Sequence, residues 1–265
     1  MKTHIQPGLL VPVFIGMTVL TCPAQENPDV PASGTPQTAR DYINEGIAMA
    51  DSGNSAGAMD DFNKAITLND NKYRTQAAYL NRGCLKLNQK DYAGALQDLS
   101  KAIEINDDKE NTALAYFNRG ILRFELKEFN QSLSDLNKSI KLNDQDAEAW
   151  FNRSVVKNEL KDFRGAIKDC SKAIALRMNY PEAWFNRGCA KDALKDFKGA
   201  IEDYSIAISF NVSFGDAYIN RGLDKSELGD KDGACNDFNK ALQLGNEELI
   251  DVIHEYCDGG DEWED

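Results

Sequence analysis

Six asparagines, Asn44, Asn81, Asn118, Asn152, Asn186 and Asn220, recur in nearly the same setting: "YINEG", "YLNRG", "YFNRG", "WFNRS", "WFNRG" and "YINRG". A side-chain amide donates and accepts at once, which matches the alternating N–H and C=O groups of an extended peptide whatever its sequence. Beside them runs an arginine series, Arg82, Arg119, Arg153, Arg187 and Arg221, with Glu45 in the first place. A carboxylate series accompanies it: Asp61, Asp98, Asp135, Asp169, Asp203 and Asp237. Guanidinium and carboxylate suit paired hydrogen bonds, and a partly buried arginine needs such a partner. These two series therefore read as structural ion pairs. Because Asp61 has Glu45 and no arginine in its own unit, its expected partner is Arg82 of the next, so the pairs are expected to run across units.

Catalytic chemistry finds little support. The histidines are His4 and His254, one near each end of the chain, no glycine-rich phosphate loop follows a strand, and no Cys/His spacing suits zinc. The reading is a non-enzymatic protein with no cofactor and no metal. The "NRS" triplet at Asn152 falls on a packed helix position and carries no weight as a glycosylation site. A net charge of −13 and a pI near 4.7 exclude nucleic acid and anionic membrane surfaces as partners, since both are bound through Lys/Arg clusters.

The elements that position these residues form a repeat. Gly46, Gly83, Gly120, Ser154, Gly188 and Gly222 align at spacings of 37, 37, 34, 34 and 34. Twelve residues later stand Ala58, Ala95, Ser132, Ala166, Ala200 and Ala234, then Phe62, Leu99, Leu136, Cys170, Tyr204 and Phe238, while an aromatic leads each unit from Tyr42 to Tyr218. This pattern resembles the tetratricopeptide repeat family, whose 34-residue unit is a helix–turn–helix. Two departures stand out. The leucine usual before the glycine is arginine in five units, and the aromatic usual three residues after it is Lys or Arg in the same five.

The resemblance implies an all-α fold, a right-handed α-solenoid of six helix–turn–helix repeats plus a C-terminal capping helix. The repeats span 39–72, 76–109, 113–146, 147–180, 181–214 and 215–245, with the cap at 246–257 and an acidic tail at 258–265. Small residues on the first helix are expected to face alanine on the second, allowing axes near the short end of the roughly 8–10 Å range.

At about 100° per residue the aromatic, the arginine, the glycine and the residue three beyond share one stripe, and the asparagine lies nearly opposite the middle of it, on the side that in this family lines the concave surface of the superhelix. Leu80, Phe117, Phe151, Phe185 and Ile219 precede it there, and Cys84, Ile121, Val155, Cys189 and Leu223 follow it. The column resembles the asparagine ladder of O-linked N-acetylglucosamine transferase, which holds peptide backbones. With Glu125, Glu148, Glu159, Glu182, Asp192 and Asp216 at its border, such a groove would take an extended peptide or partner protein with apolar anchors and basic residues. The alternative is that these side chains pack only against one another. The groove lacks the basic residues with which chaperone-type repeats clamp a terminal carboxylate.

The N-terminus reads as an address. Lys2 and His4 precede the apolar run Leu9–Leu20, followed by small residues before a cut after Ala24, so residues 1–24 read as a secretory signal peptide. The alternative is a lipoprotein anchored through Cys22. Residues 25–38 form a flexible tether, and no membrane span remains after the signal. Cys84 and Cys189 lie too far apart to bond, whereas Cys235 faces the helix carrying Cys257 and is a candidate disulfide partner. The reading is an exported, periplasmic or extracellular scaffold that binds a peptide or protein. The alternative is a lipid-anchored envelope-assembly or glycan-binding component.

Overall fold

The structure, a computed structural model, describes residues 38–257. The signal peptide, nearly all of the tether and the acidic tail lie outside the described residues. Helices follow one another as α1 (Ala39–Asp51), α2 (Ser55–Leu68), α3 (Lys72–Asn88), α4 (Tyr92–Ile105), α5 (Lys109–Glu125), α6 (Phe129–Leu142), α7 (Ala147–Glu159), α8 (Phe163–Leu176), α9 (Pro181–Ala193), α10 (Phe197–Phe210), α11 (Gly215–Glu227), α12 (Lys231–Gln243) and α13 (Ile250–Tyr256). A 3-10 turn at Glu247–Leu249 precedes the last, and no strand occurs among the described residues. The chain divides between Ala149 and Trp150 into two compact units.

Local chemistry sets the second helices. Asp91, Asp162, Asp196 and Asp230 each accept the backbone N–H of the residue three further on, which is Gly94, Gly165, Gly199 and Gly233. A Cβ at any of these glycines would collide with the capping carboxylate, which is why an aspartate and a glycine recur together. α6 breaks the rule, since Glu128 makes no side-chain cap and Gln131 stands where the glycine would be. Before each cap the chain turns through left-handed backbone at Lys90, Lys127, Lys161 and Lys195 (φ 60–65°), or at Gly53 and Gly229. Glycine adopts that conformation freely, and lysine at about 1–2 kcal/mol per residue.

In the N-terminal unit the extra three residues of the second and third repeats form an added helical turn. α3 and α5 are 17 residues long and α1 is 13, so α3 opens at Lys72, before the expected start at 76. Gln76, fully buried in that turn, donates to Ala102 O (3.1 Å) and Thr112 Oγ1 (2.8 Å) and accepts from the Asp108 N–H (2.8 Å). One amide thereby ties α3 to the end of α4 and the start of α5.

The small residue of the first helix does meet the small column of the second, since a Cβ at Gly222 would lie 3.2 Å from Ala234 O and Ser132 Oγ donates to Gly120 O at 2.7 Å, but a larger side chain also presses on it. A Cβ at Gly46 or Gly222 would lie 2.6 Å from the ring of Phe62 or Phe238, so the small residue makes room for the large side chain four beyond the alanine. Ser154 fits the same rule. Opposite it stands the smaller Cys170, whose thiol donates to the Ser154 hydroxyl at 3.1 Å.

In the C-terminal unit the last repeat is capped by α13, where Leu249 and Ile253 pack with Phe238 and Ala241. Cys235 and Cys257 are bonded, with Cα atoms 5.7 Å apart. The cap is shorter than one continuous helix over 247–257, because its first three residues form the 3-10 turn.

Candidate functional site

The arginine and aspartate series meet inside each repeat. Arg82 Nε and Nη2 lie 2.8 and 2.7 Å from the two oxygens of Asp98. Arg119–Asp135, Arg153–Asp169, Arg187–Asp203 and Arg221–Asp237 repeat this fork at 2.6–2.9 Å. Partners are sixteen residues apart, on the two helices of one repeat, which corrects the expected cross-repeat register. Each guanidinium also stacks over the aromatic three residues before it, from Tyr116 at 5.5 Å to Trp184 at 4.5 Å. A link between repeats does exist, but through uncharged side chains of the preceding second helix: Nη1 of Arg82 donates to Asn63 Oδ1, and Nη1 of Arg119, Arg187 and Arg221 to Ser100, Ser171 and Ser205 at 2.9–3.1 Å.

A second cation completes each clamp. Lys86, Arg123, Lys157, Lys191 and Lys225 lie 2.7–2.8 Å from the same carboxylates. These are the cations that replace the family's aromatic three residues after the glycine, and their role was missed. The signal was the co-occurrence of the two departures, since the first repeat, with Glu45, also has Met49 in the second place. There Asp61, 4% exposed, takes Lys64 at 3.1 Å, with that ammonium over the Tyr42 ring, while its Oδ2 has no hydrogen-bond partner.

The asparagine column is buried and not presented to solvent, against expectation. Asn81, Asn118, Asn152 and Asn186 are at most 2% exposed and Asn220 7%, with only Asn44 half-buried. The asparagine side meets the neighbouring first helix. Where that helix offers sulfur the amide takes it: Asn118 Nδ2 donates to Cys84 Sγ (3.2 Å) and Asn220 Nδ2 to Cys189 Sγ (3.5 Å). Asn81, whose counterpart one repeat earlier is Ile47, turns back to Ala77 O at 2.9 Å. The counterpart of Asn186 is Val155, which has no acceptor, and both amide atoms of Asn186 are buried without a partner. Asn81 Oδ1 and Asn220 Oδ1 are in the same state.

The apolar neighbours are engaged in packing. Leu80, Phe117, Phe151, Phe185, Val155 and Ile219 are buried, Ile121 is half-buried, and Phe185 stacks on Tyr204 and Phe214. Six residues past the asparagine the two units differ. The N-terminal unit has Leu87 and Phe124 there, and the C-terminal unit Asn158 and Asp192. Asp192 on α9 lies within hydrogen-bonding reach of Asp224 on α11, which is 3% exposed with Oδ2 unpartnered. Burial first, and the Asp192 charge second, hold the Asp224 carboxyl well above the usual range. Burial likewise pushes the thiols of Cys170 and Cys189 up to about 12, which leaves them unreactive near neutrality. Among the described residues no group of three His, Cys, Asp or Glu could hold a metal ion, and no helix is long and apolar enough to cross a membrane.

The tetratricopeptide repeat family model matches residues 76–109, 113–146 and 181–211. Three segments of the chain thus match tetratricopeptide repeats, and its consecutive helix pairs are those of the α-solenoid class. Among solved structures, MamA is similar at 26% identity and TM-score 0.58, covering 63% of this chain and 96% of its own. YrrB, described as a TPR protein with an unusual peptide-binding site, is 19% identical with TM-score 0.62 and covers 73% and 97%. A tetratricopeptide repeat protein from Parabacteroides merdae is 18% identical with TM-score 0.59, covering 83% and 99%. No curated protein matches the chain in sequence.

Proposed function

We propose that the chain is an exported, non-catalytic scaffold that binds an extended peptide or partner protein along the face carrying its asparagine column. One observation carries the reading: buried amide atoms of Asn81, Asn186 and Asn220 are left without partners on equivalent positions of both units. Buried polar groups are ordinarily satisfied, so a recurring set of unsatisfied donors and acceptors marks places where a peptide backbone would supply what the fold does not. The fold shared with YrrB, a peptide-binding repeat protein, supports it. The Cys235–Cys257 bond accords with an oxidising compartment, and the apolar run Leu9–Leu20 supplies the address.

The test begins with a ligand recovered by pull-down and sequenced by mass spectrometry. Replacing Asn81, Asn186 and Asn220 together by alanine should weaken its binding at least about tenfold in titration calorimetry, at roughly 0.5–1.5 kcal/mol per hydrogen bond. Thermal melts of the same variant are needed beside it, because these residues are buried. Unchanged affinity in a folded triple variant would leave the column a purely architectural role.

A further inference from the structure

Every buried carboxylate of the clamp series from Asp98 to Asp237 has two cations, yet Asp224 has none bonded to it. Its equivalents in the other repeats are Ala48, Leu85, Leu122, Val156 and Ala190, so the fold does not require an acid at this position. Asn220, one turn earlier on α11, is held by its bond to Cys189 Sγ on α9, three residues before Asp192. Its Oδ1 is buried and has no donor. The Tyr204 hydroxyl of α10 is fully buried against Cys189 and under the influence of both carboxyls. α9 and α11 thus bring together buried hydrogen-bonding atoms that the chain leaves without partners, with half-buried Asp192 beside them.

We propose that Asp192, Asp224 and Asn220 form a receptor for the ammonium group of one lysine of a bound peptide. Two carboxylates and an amide oxygen offer three acceptors, and an ammonium brings three donors and no acceptor. The site deepens the peptide-binding reading and rests on it for the source of the lysine. The charged groups facing the pair are Glu227 on α11 and Lys195 beyond α9. Lys195 is exposed and lies over the Phe197 ring at 5.2 Å. In the empty site Asp224, its carboxyl raised by burial, donates its proton to the Asp192 carboxylate. An entering ammonium keeps its own three protons and displaces that one to solvent, so binding releases one proton per site.

The experiment is carboxyl carbon NMR of the aspartate-labelled chain, titrated in pH with and without N-acetyl-lysine methylamide, the norleucine analogue serving as control. The lysine probe should lower the Asp224 midpoint by about one pH unit or more, an effect of about tenfold on proton affinity, and norleucine should leave it in place. Asp224→Asn, which keeps the shape, and Asp192→Asn should each weaken binding of the lysine probe by about tenfold. A midpoint indifferent to lysine, or moved equally by norleucine, overturns the proposal. The two readings fail separately: a recovered peptide that binds wild type and Asp224→Asn alike removes this receptor and keeps the groove. A lysine shift in a chain that binds no peptide does the reverse.

Discussion

Asp203 and Asp224 lie in the same unit and are almost equally buried, 2% and 3% exposed, yet the chain treats them in opposite ways. Asp203, between α9 and α10, is gripped by the Arg187 fork and by Lys191, with Trp184 under the guanidinium. Asp224, between α9 and α11, meets another acid. A buried charge is tolerable when its partners are buried with it and costly when they are not. The first arrangement, repeated five times, is architecture. The second opposes stability, which is the mark of a residue kept for another purpose.

The largest effect should come from breaking the first arrangement. Arg187→Ala leaves a buried carboxylate with one cation and should cost about 3–5 kcal/mol in denaturant unfolding. In double-mutant cycles Arg187 should couple more strongly to Asp203 than to Asp169; equal coupling would return the pairs to a cross-repeat register. Relieving the second arrangement should do the opposite, with Asp224→Asn gaining about 1–2 kcal/mol at pH 8. The sign follows from the raised carboxyl: the folded state holds a proton that the unfolded state has lost, so wild-type stability falls as pH rises from the ordinary carboxylate range toward the raised one. The gain from Asp224→Asn should therefore shrink on acidification to pH 5, and a pH-independent gain would point to packing instead.

Smaller changes sharpen the contrast. Lys191→Met removes the second cation and keeps the fork, so it should cost about 1 kcal/mol, clearly less than Arg187→Ala. Installing a clamp where none exists, by Glu45→Arg with Met49→Lys, should gain at most about 1 kcal/mol, because Asp61 already has Lys64. A loss in thermal melts would show that the first repeat cannot seat the clamp.

The columns themselves were legible because a repeat multiplies each signal. Register was not. Arg82 stands 16 residues before Asp98 and 21 after Asp61, both compatible with facing helices, and the deciding fact was the second cation, Lys86, which spacing alone leaves unassigned. A helical wheel separates the asparagine from the arginine stripe but does not say whether that side meets solvent or another helix, and here Asn118 meets Cys84. Asp224 was invisible for the converse reason, being a single exception in an apolar column, whereas Asp192 already drew notice as a border acid.

The two ends of the chain differ in how they come apart. A tandem array frays first at a terminal repeat, which has one neighbouring repeat where inner repeats have two. At the far end Cys235–Cys257 ties α13 to α12, so the cap cannot peel away while the bond holds. At the near end α1 packs on α2 and α3 through Ala39 and Ile43 with no covalent tie, and its repeat lacks the arginine clamp. Among the described helices unravelling therefore has a direction, with α1 loosening before the cap until reduction of one bond frees the cap as well.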